Sequence, residues 1–194
     1  MAENPFELYR KWKKEASLSE VNDPDAIALA TVDRDGLPNV RMVLLRIIED
    51  DGFVFFTNYK SAKGTEIEQS GKVAFVSHWK SIRRQIRVRG LIAKDETKLS
   101  EEYFNQRPLE SRIGAWASKQ SSTLESREEL LNALENFKKK YKDKDNVPRP
   151  NHWSGWNLKP LSIEFWLDGE NRIHERLKYS LNEKSIWIKS LLSP

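Results

Sequence analysis

Between residues 26 and 57, three runs of β-favouring residues follow one another with almost nothing between them. They cover 26–32, 39–48 and 52–57, with turns at Asp35-Gly36 and Glu49-Asp50-Asp51-Gly52. Connections that short pair neighbours antiparallel, since a parallel return needs a long crossover. The stretch therefore predicts a meander. Two more strands, 72–79 and 82–94, follow a helical stretch at 61–70. In the second, Ile86, Val88 and Leu91/Ile92 are interleaved with Arg84, Arg87 and Arg89, the period of a strand with one buried face. β texture returns at 161–167, turns at Asp168-Gly169, and continues at 172–179 and 185–189. Around this framework lie three predicted helices. The first, at 4–17, has Pro5 in its opening turn and an apolar face of Phe6, Leu8, Tyr9 and Trp12. The second, 97–106, is closed by Arg107-Pro108. A third begins at the capping box Ser126-Arg127-Glu128-Glu129 and aligns Leu130, Leu134, Phe137 and Tyr141.

The expected fold is mainly β, an antiparallel barrel of six to eight strands with peripheral helices, in a single domain over 1–194. Its parts are an N-terminal helix within 1–20, a long helix within 122–142 and a C-terminal β segment over 161–194. Hydrophobic residues make up only 38% and the mean hydropathy is −0.71. Seven Trp, eight Phe and five Tyr nonetheless require a packed interior. A net charge of +4 and a pI of about 9.2 favour anionic partners. The 33 basic residues are scattered among 29 acidic ones with no basic arm, which argues against nucleic acid. With no Cys, thiolate catalysis, disulfides and cysteine metal sites are excluded. The three His are not at ligand spacing, and no Gly-x-Ser-x-Gly elbow, dinucleotide fingerprint or P-loop is present. No apolar run approaches the roughly 20 residues of a bilayer span, and residues 1–14 are polar, so a cytoplasmic location is expected.

Four segments could carry chemistry. In Arg41–Arg46, strict alternation would send the two Arg to opposite faces unless a bulge intervenes. As a bare segment it fits a barrel strand with solvated ends; the alternative is an Arg gripping phosphate through its planar fork. Thr57-Asn58-Tyr59-Lys60-Ser61-Ala62-Lys63 leads from a strand into a helix N-terminus, which suits either phosphate or a simple Ser cap. Residues 111–122 show no clean period and suit a binding loop, or a connector whose Trp116 fills the core. Lastly, Arg172, His174 and Arg176 would share one face of a strand. Three basic groups on one face call for an anion among them, so function is favoured there.

These segments, collinear over nearly the whole chain, resemble the pyridoxamine 5′-phosphate oxidase family. The resemblance rests on Arg41–Arg46, Gln85 after Arg83-Arg84, Arg107-Pro108 with Ser111 and Ile113-Gly114-Ala115-Trp116, and Lys119-Gln120-Ser121-Ser122. Ile163-Glu164-Phe165-Trp166 and Arg172-Ile173-His174-Glu175-Arg176 complete it. It implies an FMN-binding split β-barrel, a homodimer with FMN at the subunit interface, and oxidation of pyridoxamine and pyridoxine 5′-phosphates by oxygen. By resemblance, Arg41, Met42, Val43, Leu44, Leu45, Arg46, Phe56, Thr57 and Lys63 contact FMN from one subunit. Gln85, Gln120, Ser121, Trp166 and Arg176 complete that site from across the interface. Arg46, Tyr103, Arg107 and Ser111 match substrate positions, the last three holding its phosphate. Arg172 and His174 match the catalytic pair over the pyridine ring, with Ile173 between them.

Two positions depart from many relatives. Arg46 stands where they have Lys, and Ala62 where they have Arg. An altered substrate preference and looser FMN binding are expected from these. No basic segment precedes Asn4, so no closing lid is expected. The alternatives are a phenazine-biosynthesis-type oxidase of the same fold and a non-catalytic flavin or pyridoxal-phosphate carrier. Tyr103, Arg107 and Ser111 weigh against the first, and the Arg172/His174 pair against the second.

Overall fold

The structure, a computed structural model, describes residues 4–95, 98–142 and 147–194. The meander forms as expected, with β1 (Ala26–Val32), β2 (Pro38–Ile48) and β3 (Phe53–Asn58) antiparallel in sequence. A short helix, α2 (Ala62–Ser70), leads to β4 (Lys72–Trp79) and β5 (Arg84–Lys94). Strand β4 pairs back onto β1. β6 (Trp153–Leu167) closes the sheet, because its first half pairs with β3 while most of its length pairs with β5. Six strands thus make a closed antiparallel barrel. β7 (Glu175–Leu181) and β8 (Trp187–Leu191) extend it beyond β6.

Helix α1 (Pro5–Ser19) starts at Asn4, whose side chain accepts from the Phe6 N–H. It plugs the barrel through Phe6 and Tyr9, whose rings lie 5.2 and 5.0 Å from that of Phe53. Tyr9 also donates to or accepts from Ser77 at 2.5 Å, and burial pushes its phenol far above the ordinary value. The remaining helices, α3 (Leu99–Gln106), α4 (Leu109–Ala117) and α5 (Arg127–Lys140), sit outside the barrel. Ser126 caps α5 by accepting from Glu129 N–H, and Phe137 and Tyr141 pack with Trp116 in a small second core.

The structure corrects the sequence reading at five places. Residues 111–122, expected as a loop, are helical as far as Ala117. Leu109, Ile113 and Ala117 recur at a helical interval that the surrounding Ser, Gly and Trp obscure. The long helix occupies Arg127–Lys140 instead of 122–142, and the helix expected from residue 97 runs from Leu99. Residue 97 itself, and 143–146 of the expected charged loop, lie outside the described residues. The C-terminal β segment begins at Trp153, not at 161. Gly155 and Pro160 hide its first half. The proline is accommodated by a register shift between Arg89 and Gly90, which leaves Leu161 unpaired against β5. Finally, β7 starts at Glu175, so Arg172 and His174 are not strand residues and share no strand face with Arg176. Arg172 closes a 3₁₀ turn, Glu170–Arg172, with φ +65°.

At the bulge the β6 backbone comes so close that a Cβ on Gly90 would meet the Lys159 carbonyl oxygen. Gly90→Ala is therefore expected to destabilise the fold by roughly 1–3 kcal/mol, measured as a lowered urea midpoint with an unchanged slope.

Candidate functional site

A cleft of about 700 Å³ opens between β2, β3, the start of β6 and the α3–α4 corner. A smaller cavity of about 400 Å³ shares Phe56, Thr57, Arg107, Ser111, Gln120 and Trp153 with it. One wall is aromatic. Phe56 stacks on Tyr103 at 4.3 Å and on Trp153 at 5.6 Å, the ring planes nearly parallel. Two of these rings carry cations. The Arg107 guanidinium lies 4.7 Å from the Trp153 ring centre, and that of Arg46 lies 5.9 Å from Tyr103.

Charge in this cleft is unevenly neutralised. Arg41 is held by Glu66 at 2.9 Å and bonds Thr31 Oγ1. Burial alone would raise the Glu66 carboxyl. Hydrogen bonds from Thr31 and Asn39 and the Arg41 charge instead hold it below the usual range. Arg46 pairs with Asp25 at 3.1 Å. It is also the extra residue in a bulge between β2 and β3, where Leu45 faces Phe55 and Ile47 faces Val54. That bulge lets both Arg41 and Arg46 reach one cleft. Lys63 and Arg107 are different: neither has a carboxylate partner among the described residues. Lys63 is buried, and its Nζ has only oxygens of Gln120 at 3.2 Å, Thr57 at 3.3 Å and Ser61 at 3.4 Å. Burial, then the Arg41 charge, lowers its pKa. Arg107 is likewise lowered, chiefly by burial, and its Nη1 is buried with no hydrogen-bond partner. A cation desolvated and left unpaired is costly, so both groups are set for an anion.

The remaining expected residues gather elsewhere. Gln85, Trp166 and Arg176 stand opposite one another across β5, β6 and β7. Arg176 donates through Nε (3.0 Å) and Nη2 (2.8 Å) to Glu164, which also takes Arg87 at 3.3 Å. The His174 ring lies 4.6 Å from that of Trp166, while Arg172 and Ile173 are exposed on the β6–β7 turn. None of these six lines the large cleft or the cavity beside it. Gln120, expected from across the interface, instead lies beside Lys63 of its own chain. Ser121 faces a small space against α5. The expected residues therefore fall into two separate groups on the chain. Val40, Met42 and Leu44 are exposed on β2, and a groove of about 650 Å³ runs beside Met42 to Ala28, Val76 and His78.

Sequence reasoning missed Asp25, Glu66, Glu164 and Asp168, the carboxylates that hold Arg46, Arg41, Arg176 and His174. Three lie 12 or more positions from their partners, with no local signal. Trp153 was missed because its strand was.

A family model described as "Pyridoxamine 5'-phosphate oxidase" matches residues 14–141, and one described as "Pyridoxine 5'-phosphate oxidase C-terminal dimerisation region" matches 153–194. A Pelagibacter ubique protein named pyridoxine/pyridoxamine 5′-phosphate oxidase is 55% identical over 191 residues, covering 98% of this chain and 92% of its own length. Its Bartonella quintana namesake is 53% identical over 194 residues, with 99% and 93% covered. Among solved structures, PhzG from Burkholderia lata, in complex with tetrahydrophenazine-1-carboxylic acid, superposes with a TM-score of 0.91. It is 29% identical, with 98% of this chain and 93% of that chain covered. An FMN-binding protein from Nostoc punctiforme has the same fold, with a TM-score of 0.78 at 18% identity and full coverage of both chains.

Glu66 contributes stability that is full above its ordinary pKa of about 4.5 and fades as pH falls below it, because its folded value is depressed. Glu66→Gln is expected to flatten that acid limb in thermal melts recorded from pH 6 to pH 3.

Proposed function

The chain belongs to the pyridoxamine 5′-phosphate oxidase family, and on that premise we propose how its two half-sites divide the work. It is a homodimeric oxidase that converts pyridoxine and pyridoxamine 5′-phosphates to pyridoxal 5′-phosphate. Oxygen is reduced to peroxide, and the amine also yields ammonia. The observation that carries the division is the pair of unneutralised cations, Lys63 and Arg107, in one aromatic-walled cleft. Two such cations suit two phosphates, one on FMN and one on substrate.

Lys63, with Arg41, Thr57 and Gln120, is suited to hold the FMN phosphate, and Met42–Leu45 to flank the ring. FMN held there would supply a hydride acceptor that oxygen can reoxidise. Arg107, with Tyr103 and Ser111, is suited to the substrate phosphate, while Arg46 over the Tyr103 ring lies at the neighbouring wall. Phe56, Tyr103 and Trp153 exclude water on one side, which strengthens these charge contacts. Gln85, Trp166, Arg172, His174 and Arg176 serve the partner's cleft, brought there by packing of the exposed β2 face. Arg172 and His174 orient the substrate at the carbon that is oxidised. Ala62 adds no cation at the helix start, so the FMN phosphate relies on Lys63 and Arg41.

A phenazine-type activity has one observation in its favour, the 0.91 superposition on PhzG. The Arg107 seat weighs against a substrate without phosphate. The purified protein, given pyridoxamine 5′-phosphate in air, is expected to produce the aldehyde and peroxide together. Arg107→Ala should raise KM for this substrate about 10- to 100-fold, the equivalent of one charged hydrogen bond, with flavin absorbance retained. Lys63→Ala should lose flavin on dialysis. An Arg107→Ala enzyme with unchanged KM would refute the substrate-phosphate assignment.

A further inference from the structure

The turn that carries Arg172 and His174 is wound more tightly than a connector between β6 and β7 requires. Asn171 and Arg172 are consecutive non-glycine residues with φ of +53° and +65°. Such strain persists only where the surroundings enforce it. A Cβ on Gly169 would collide with the Ile173 carbonyl oxygen, so the two limbs of the turn touch. The winding brings His174 back onto Asp168, with Nδ1 3.2 Å from Oδ1 and the two side chains 21% and 17% exposed. The other carboxylate oxygen takes the Arg83 guanidinium, and the Asp168 N–H donates to the Arg83 carbonyl at 3.1 Å. Arg83 is itself left-handed, at φ +52°. Asp168 is thus anchored from behind while it faces the imidazole, and the Trp166 ring lies alongside.

We infer that Asp168 is a positioning residue for His174. Its carboxylate accepts the Nδ1–H, which leaves the Nε2 lone pair open on the neutral ring, and Arg83 fixes the carboxylate in place. A neutral imidazole carries one N–H, and the partner of one nitrogen decides the state of the other. The turn also holds a competitor. As the ring is placed, the Gly169 N–H donates to the same Nδ1 at 3.3 Å, the contact of the opposite tautomer, and an Nδ1–H turned to Asp168 displaces it. The two contacts are of nearly equal length, and the carboxylate's charge favours the Nδ1–H form over the neutral backbone donor. Removing the charge should therefore flip the ring's protonation.

The chemistry explains why this matters. Oxidising an alcohol or amine carbon removes a hydride and a proton. A bound flavin would take the hydride, and as the C=O or C=N bond forms the O–H or N–H proton needs a base, which an open Nε2 provides. This step rests on the reading of His174 as a reacting-site residue; the tautomer assignment does not.

The test uses ¹⁵N-labelled holoenzyme. Long-range ¹H–¹⁵N spectra of the neutral ring, assigned against His174→Gln, are expected to show the Nδ1–H form in the parent protein. Asp168→Asn should move the population to Nε2–H and lower kcat on the order of 100-fold, with KM and flavin content unchanged. Asp168→Glu should recover part of kcat, and Arg83→Ala should fall between. An Asp168→Asn protein with the parental tautomer overturns the inference. So does one with full kcat when His174→Ala has lost it. If His174→Ala itself turns over normally, the catalytic reading of His174 fails, and the spectra still decide the pairing. Should Asp168→Asn fail to fold, Arg83→Ala and Asp168→Glu carry the same comparison.

Discussion

Pairing of β3 with the first half of β6 is the contact on which the rest of the molecule depends. It turns a meander with two free edges into a barrel, and it sets Phe56 and Thr57 opposite Gly155 and Ser154. Trp153 reaches the cleft only because it lies at the start of that pairing, against Asn58. The same strand then runs on to carry Trp166 and the turn to His174. One element therefore fixes the spacing between the cleft and the second group of functional residues. The bulge at Gly90 lets so long a strand, with a proline inside it, stay paired on both sides.

Electrostatics sorts the arginines into two kinds. Those anchored by buried or half-buried acids, such as Arg41 on Glu66 and Arg176 on Glu164, have orientation fixed by the protein and only part of their charge to offer. Arg107, in contrast, rests on an aromatic face with a buried, unbonded nitrogen. Guanidinium suits that position because its flat face packs on indole while its edge keeps donors for an anion. In a barrel this small, leaving one cation unpaired is a standing cost, which an anionic ligand removes. Ligand binding and fold stability are coupled there.

Strands with simple alternation were legible in the sequence almost to the residue, as β1 and β4 show. The expectation of an antiparallel barrel of six to eight strands followed from them, and six strands close it while two extend it. Legibility failed where backbone geometry overrides pattern. The Gly155 and Pro160 that made β6 look like loop are the residues that a close approach and a bulge require. At 172–174, alternation suggested a strand, but the left-handed pair Asn171-Arg172 turns the chain out of it. The cations of the candidate cleft were picked out by resemblance and by residue type; the carboxylates that aim them were not. They act through space, and only Asp168 lies close in sequence to its partner, inside a segment taken for an ordinary hairpin turn.

Closure through β6 also sets an order of events during synthesis. β3 begins Phe-Val-Phe-Phe, and β6, which closes its outer edge, lies beyond four helices in the chain. At ribosomal rates, that apolar edge emerges on the order of ten seconds before anything can cover it. The nascent chain must pass this interval with a strand of aggregation-prone composition open to its neighbours. The organisation that gives the finished molecule a continuous wall leaves this edge of its precursor open until residues 153–158 have been made.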